Sequence, residues 1–345
     1  MDTAKAAWLL YEHPSVKLEI LSPLVPLNLR TKAKLACIPT TSGTGSEVSG
    51  VAVISFPDGV KLPVAGALPE FVPDFALLDP SLTVGMPPDL TAGTGADALA
   101  HAIDGFMAPK SDEINQAIAK KTIEMVFKWL PRAYEDGSDI MPRMKMQQAA
   151  MMAGIPLANG GSGISHALGH TVGGLFHIHH GVMVLLFIPY ELQVYSQVTD
   201  RYLELCDLLG VRDKKSDEKS LSNLIKKIRD FMKSLNLPTG LKETGVKIED
   251  LEKKLSVAAM MGACEFNIGK YEARLGKKSL LKGMILQIIE LYYINRPEQF
   301  EQFKQDHLNE VINSDLKKID TYRAYANILD RKSTRLNSSH VALSR

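Results

Sequence analysis

Hydrophobic positions along this 345-residue chain change their period once, near residue 85. The opening, Asp2 to His13 (DTAKAAWLLYEH), spaces its apolar residues as a helix does. Residues 15 to 35 read as loop, with Pro23 and Pro26, and lead into Leu35 to Ile38, a short apolar run suited to a buried strand. Val51 to Phe56 and Phe75 to Leu78 read as further strands, expected to be joined through Pro57-Asp58-Gly59, a turn signal. From Pro87 onward a helical period dominates, predicting helices over Leu90 to Phe106, Ile114 to Leu130, Pro142 to Leu157 and Ser165 to Phe176. Another amphipathic helix is expected over Leu251 to Cys264, and Leu237 to Leu241 reads as a loop. The pattern therefore predicts an α/β part followed by an all-α part, with a domain boundary near residue 85. Met144, Met146, Met151 and Met152 are read as core filler, and Lys214-Lys215 and Lys226-Lys227 as solvated helix faces.

Composition narrows the function classes. The chain is 45% hydrophobic and 23% charged with a formal net charge of +1, enough material for two domains and a sizeable core. A balance so near neutral gives no reason to expect nucleic acid or an anionic membrane as partner. Cys37, Cys206 and Cys264 are odd in number and lack framework spacing, which fits a reducing cytoplasm. Val182 to Ile188 is far too short to span a bilayer, and no signal-peptide pattern is visible.

Candidate chemistry sits in two stretches of the helical part. Ser165 to Pro189 holds five of the nine histidines. His166 and His170, four apart, share a helix face, and a Gly-rich turn at Gly173-Gly174 is expected to bring His180 back towards them. In Gly95 to Asp104 (GADALAHAID), Asp97 and His101 are also four apart within an Ala-rich helical run. One carboxylate and three imidazoles can then converge, a set suited to Fe(II) or Zn(II). A single D-x-x-x-H pair is more often a solvated or capping pair; two such faces in apolar surroundings, where unpaired polar groups are costly, change that balance. His177 and His179 are read as loop or pocket residues.

These pieces carry a resemblance. DTAKA at 2–6, IPTTSGTGSEVS at 38–49, DPSLTVGMPPDLTAGTGADALAHAID at 79–104, SHALGH at 165–170 and HHGV at 179–182 stand in the order found in the iron-containing (group III) alcohol dehydrogenases, and the chain resembles that family over most of residues 1–265. The resemblance implies a Rossmann-like nucleotide-binding part and a helical metal-binding domain, on the architecture shared with dehydroquinate synthase. It implies Asp97, His101, His166 and His180 as metal ligands, with iron expected before zinc, and His170 beside the metal near the reacting carbons. It places Asp2, Thr40, Thr41 and Thr44 at a dinucleotide, NAD or NADP, and Lys61 near the cofactor ribose, where the bland alternative is a solvated lysine. The activity implied is reversible oxidation of a small alcohol to an aldehyde or ketone, in a homodimer or higher homo-oligomer. Cys264 and Asn267 resemble a Cys-x-x-Asn of the substrate pocket, although the pattern that follows differs.

Two departures qualify this. The family's Gly-Gly-Gly-Ser turn, whose amides hold the pyrophosphate, does not precede Asp2, so the chain reads as an N-terminally truncated member expected to fold its helical metal domain but to bind dinucleotide poorly or not at all. Lys332 to Arg345 is Ser-rich and aperiodic and reads as a non-native or disordered tail. The expected organisation is thus 1–85, 86–331 and 332–345. The competing readings are a metal-dependent lyase or cyclase on the same scaffold, which needs Lys and Arg around an anionic substrate, and a catalytically incompetent metal-binding fragment.

Overall fold

The computed structural model describes residues 1–16, 27–55, 61–64 and 69–247; the expected helix at 251–264, Cys264, Asn267 and the tail lie outside them. The first helix, α1 (Asp2–Glu12), buries Trp8 and Leu9 against Leu27, Leu29, Ala52 and Phe71, with the Trp8 and Phe71 rings stacked at 6.3 Å. Polar groups fix both of its ends. Asp2 accepts from the Val53 amide and the Ser46 hydroxyl, each at 3.1 Å, while Glu12 gathers the amides of Thr31, Lys32 and Ala33. Between them the fully buried Lys5 donates to the carbonyls of Ser49 (2.6 Å) and Val51 (2.9 Å), which compensates the ammonium for lost water.

Strand β1 (Ala36–Cys37) pairs in parallel with β4 (Phe75–Ala76), and β2 (Ala52–Ser55) pairs antiparallel with β3 (Lys61–Val64). The nucleotide-binding expectation is therefore met in part: the described residues hold one parallel pair and a separate hairpin. The reason is connection length. Five residues separate Ser55 from Lys61 across the Pro57-Asp58-Gly59 turn signal, whereas a parallel neighbour needs a crossover of about a dozen residues.

The helical part follows as α2 (Pro88–Met107), α3 (Glu113–Glu135), α4 (Ile140–Gly160), α5 (Ile164–Phe176), α6 (His180–Tyr195), α7 (Tyr202–Leu208) and α8 (Asp217–Ser234). Helix α2 is the centre: every residue from Thr91 to Met107 is buried, because its Ala, Gly and Thr side chains let α3, α4 and α6 approach from all sides. Its last carbonyls are capped by Arg201, which donates to Phe106 (3.0 Å) and Ala108 (2.7 Å). Helix α6 is apolar nearly all round and is buried accordingly. Among the described residues no helix is long and apolar enough to cross a membrane.

One local expectation is corrected. Gly173 and Gly174 lie inside α5, and the chain reverses at His177, whose φ of 54° is left-handed. The Ile178 amide returns to the Gly173 carbonyl at 3.0 Å, closing the helix end. The two glycines do not make the turn, and neither faces a close contact that a Cβ would block.

Candidate metal centre and cofactor cleft

Helix α2 presents Asp97 and His101 on one face, one turn apart, and α6 crosses that face at its first residues. The crossing is close because residue 181 is glycine: a Cβ there would overlap the Gly93 carbonyl oxygen and lie 2.6 Å from the Asp97 Cβ. His180, the first residue of α6, is thereby set against Asp97, with Nε2 to Oδ1 at 3.4 Å. His101 Nε2 lies 3.6 Å from the same oxygen. Helix α5 brings His166 onto the His101 ring, the two stacked at 4.7 Å and 15°. One donor atom from each of Asp97, His101, His166 and His180 falls within 4.8 Å of every other.

These four side chains fit a divalent ion. Asp97 Oδ1 and His166 Nε2 are both buried and make no hydrogen bond, a costly state for two polar atoms unless a cation satisfies them. Separations of 3.4 and 3.6 Å are those of neighbouring donors around an ion with bonds of about 2.1 Å. One carboxylate oxygen with imidazole nitrogens suits Fe(II) or Zn(II). His170 stands beside the group, its ring 4.5 Å from that of His180 and 6.1 Å from that of His166.

The electrostatics fit as well. Burial opposes the charge on Asp97, but His101, His180 and His166 around it outweigh burial and hold its carboxyl below the usual range. Burial takes His101 down to about 4, against the pull of Asp97, which leaves its ring neutral and able to donate a lone pair at neutral pH. His166 moves the other way: burial lowers it, but the charge of Asp104 and a hydrogen bond to it prevail.

Asp104 is the residue that the reading of the sequence passed over. Its Oδ2 meets His166 Nδ1 at 2.5 Å and accepts from the Gly163 amide at 2.7 Å, and Oδ1 accepts from the Ser165 hydroxyl at 2.9 Å. Behind it, the fully buried Glu191 of α6 accepts from the Ser165 amide at 2.7 Å. Both had a visible signal. Asp104 follows Asp97 by seven residues and His101 by three, on the same helix face, and Glu191 is the single acid in the apolar stretch His180 to Tyr195. His177 lies in the exposed turn, whereas His179 caps α6 with its ring against Gly93.

The second group of predicted residues lines a cleft of about 380 Å³ formed by Asp2, Thr40, Thr41, Thr44, Ser46 and the start of α1. The first amides of a helix have no partner within it, so this end of α1 can receive an anion. The hydroxyl-rich loop is held against the helical part at glycines. A Cβ on Gly43 would lie 2.9 Å from that of Thr94, one turn before Asp97, and Gly45, at φ 59°, backs onto Gly154 of α4. Gln147 adds hydrogen bonds to the carbonyls of Pro39 (3.1 Å) and Asp79 (3.3 Å). Lys61 begins β3, and its side chain lies outside the described residues.

Comparison with known proteins gives this geometry a family. The sequence model described as iron-containing alcohol dehydrogenase matches residues 1–80, and that of the Fe-containing alcohol dehydrogenase family, C-terminal, matches residues 91–273. The chain belongs to the iron-containing alcohol dehydrogenase family. Among its relatives in this oxidoreductase family is the NADPH-dependent butanol dehydrogenase of Clostridium saccharobutylicum, 33% identical over 82% of this chain and 72% of that protein. The NAD-dependent methanol dehydrogenase of Bacillus methanolicus is 33% identical over 73% of this chain and 66% of its own length. The solved iron-containing alcohol dehydrogenase of Thermococcus thioreducens superposes with a TM-score of 0.66 at 31% identity, covering 76% of this chain and 68% of its own. Sequence and structure thus agree on the iron-containing alcohol dehydrogenases, through matches that span both the cleft and the metal centre.

Proposed function

We propose that this chain takes part in reversible, NAD(P)-dependent oxidation of a small, uncharged alcohol at the Asp97, His101, His166 and His180 centre. The observation that carries the reading is this buried one-carboxylate, three-imidazole cluster, two of whose atoms make no hydrogen bond. A divalent ion held there, Fe(II) before Zn(II), would supply Lewis acidity towards an alcohol oxygen, and a nicotinamide would supply the hydride acceptor. The protein's own work is alignment and proton handling. Asp97 gives the site its negative charge, the stacked His101 and His166 rings fix its depth, and Asp104 pins His166 from behind. His170, at the edge of the cluster, is positioned to carry the alcohol proton outward.

Asp2, Thr40, Thr41 and Thr44 are proposed as dinucleotide contacts, with the N-terminus of α1 taking phosphate and the hydroxyls taking the remaining polar atoms. Lys61 is proposed at the ribose. With these two sites goes a proposed division into a dinucleotide part to residue 85 and a catalytic helical part beyond it. A neutral substrate follows from composition: neither α2 nor α5 carries a lysine or arginine, which also weighs against a lyase or cyclase working on an anion. The relatives named for butanol and methanol dehydrogenation favour short primary alcohols.

The test is NAD(P)H formation by the chain loaded anaerobically with Fe(II), and separately with Zn(II), over a series of short primary alcohols with each nicotinamide. Metal-dependent turnover with at least one pair is expected. A metal-loaded chain that forms no NAD(P)H with any alcohol, nor consumes it with the matching aldehydes, would contradict the assignment.

A further inference from the structure

We infer that His179 is a specificity-determining residue: its ring walls the open side of the metal centre and limits the length of the alcohol's carbon chain. This role rests on the alcohol oxidation proposed above and adds to it the residue that sets substrate size.

The centre opens in one direction. The side chains of Asp97, His101 and His166 are 4%, 6% and 4% exposed, whereas that of His180 is 36% exposed. An alcohol therefore reaches the four donors past His180. Two further imidazoles stand at that rim. His170 of α5 lies 4.5 Å from the His180 ring, and the exposed His179 is the residue before His180 and the N-cap of α6.

Helix α2 sets where the His179 ring lies. Along one face of that helix Gly93, Asp97 and His101 follow at intervals of four. The histidines of α5 and α6 lie over them in the same order: His179 on Gly93, His180 on Asp97 and His166 on His101. The His179 ring occupies the space of a side chain at residue 93, where a Cβ would lie 2.8 Å from Nδ1 and 2.9 Å from Cε1. Glycine at 93 thus opens a trough beside the centre, and His179 fills it. Thr94, the next residue, packs against Gly43 of the hydroxyl-rich loop, so the ring stands between the metal centre and the cleft proposed for the dinucleotide.

This is also the path of the substrate's carbons. An alcohol with its oxygen at the centre and its reacting carbon turned to the nicotinamide has its remaining carbons at the open rim. One turn of α2, about 6 Å, separates Asp97 from Gly93, so a chain of more than a few carbons meets the His179 ring. The ring acts here by its bulk. Without it the trough floored by the Gly93 backbone is free to take further methylenes out of water.

Two variants separate bulk from polarity. Selectivity is measured for wild type, His179→Ala and His179→Phe as the ratio of kcat/KM for 1-hexanol to that for ethanol in the Fe(II)-loaded full chain. Binding of the same alcohols to the cobalt(II)-loaded chain, followed by its visible absorption, gives a second ratio that needs no dinucleotide. His179→Ala should raise the hexanol-to-ethanol ratio about tenfold or more in either readout with cobalt content unchanged, and His179→Phe, which keeps a ring, should stay within about threefold of wild type. An unchanged ratio in His179→Ala overturns the proposal, as does an equal rise in His179→Phe, which would give the role to the ring nitrogens, or loss of cobalt from folded His179→Ala. Wild type that holds cobalt yet responds to no alcohol in either readout removes the alcohol reading and this role with it. Wild type that takes up no cobalt fails at the metal centre itself, an outcome distinct from any change of ratio.

Discussion

Asp97 and Glu12 show how differently two buried carboxylates can be satisfied. Glu12 is complete within the chain: burial works against its charge, but the Thr31 hydroxyl and the amides of Ala33, Lys32 and Thr31 prevail and pull it from 4.5 to about 2. A depressed carboxyl contributes stability that is fully present above its unfolded value and is lost as pH falls through its folded value. Acid titration of unfolding should therefore be flatter for Glu12→Gln than for wild type between pH 4.5 and about 2; identical slopes would show that the clasp around Glu12 does not contribute. Asp97, by contrast, has an oxygen with no hydrogen bond, and its chemistry is completed from outside. Beside it, His170→Ala should depress turnover of the metal-loaded protein and leave metal content unchanged. Loss of metal in that variant would make His170 a ligand and not a proton carrier. The residues legible in the sequence were those whose role lies in local spacing, Asp97 with His101 and His166 with His170. Asp104 and Glu191 left a trace in the sequence, a shared helix face for one and a lone charge in an apolar stretch for the other, but their partners Gly163, Ser165 and His166 lie on another helix and are set by the packing of α2, α5 and α6.

At the scale of elements, the turn between α5 and α6 decides whether His180 meets Asp97. It rests on His177 in a left-handed conformation, which costs a non-glycine residue roughly 1 kcal/mol. His177→Gly is expected to raise unfolding stability by about that amount in denaturant titration with no change in metal affinity; weaker metal binding would give the His177 side chain a role in the site. Helix α6 comes close against α2 at Gly181, where a methyl group would meet the Gly93 carbonyl and Asp97. Gly181→Ala should cost about 1–3 kcal/mol and weaken metal binding as His180 moves off; an unchanged metal affinity would show that the crossing is not what places His180. Helices α2 to α5 were legible in existence and order, with ends off by a few residues. Helix α6 was not read as one, because a segment apolar on every face has no period to read. The hairpin of β2 and β3 was half legible: its turn signal was plain, but the turn was expected to lead to Phe75 to Leu78, whereas β2 pairs with the unread strand Lys61–Val64 and Phe75–Ala76 pairs with β1.

Over the whole molecule, two sites of opposite character are held together by small residues. The cleft of hydroxyls at the start of α1 and the buried acid and imidazole cluster meet through Gly43 on Thr94 and Gly45 on Gly154, contacts between backbones that larger side chains would separate. Order along the chain was enough to name the family, whereas the depth of the metal centre depends on packing around α2 that only the folded chain displays. The central claim is that Asp97, His101, His166 and His180 bind one divalent ion as a unit. Metal content after anaerobic loading with Fe(II) or Zn(II) and removal of excess tests it most directly, in wild type, in the four single alanine variants and in His177→Ala as control. The account predicts one ion per chain in wild type and His177→Ala, and loss of stoichiometric metal in each of Asp97→Ala, His101→Ala, His166→Ala and His180→Ala. A full ion retained by folded Asp97→Ala or His166→Ala would contradict it.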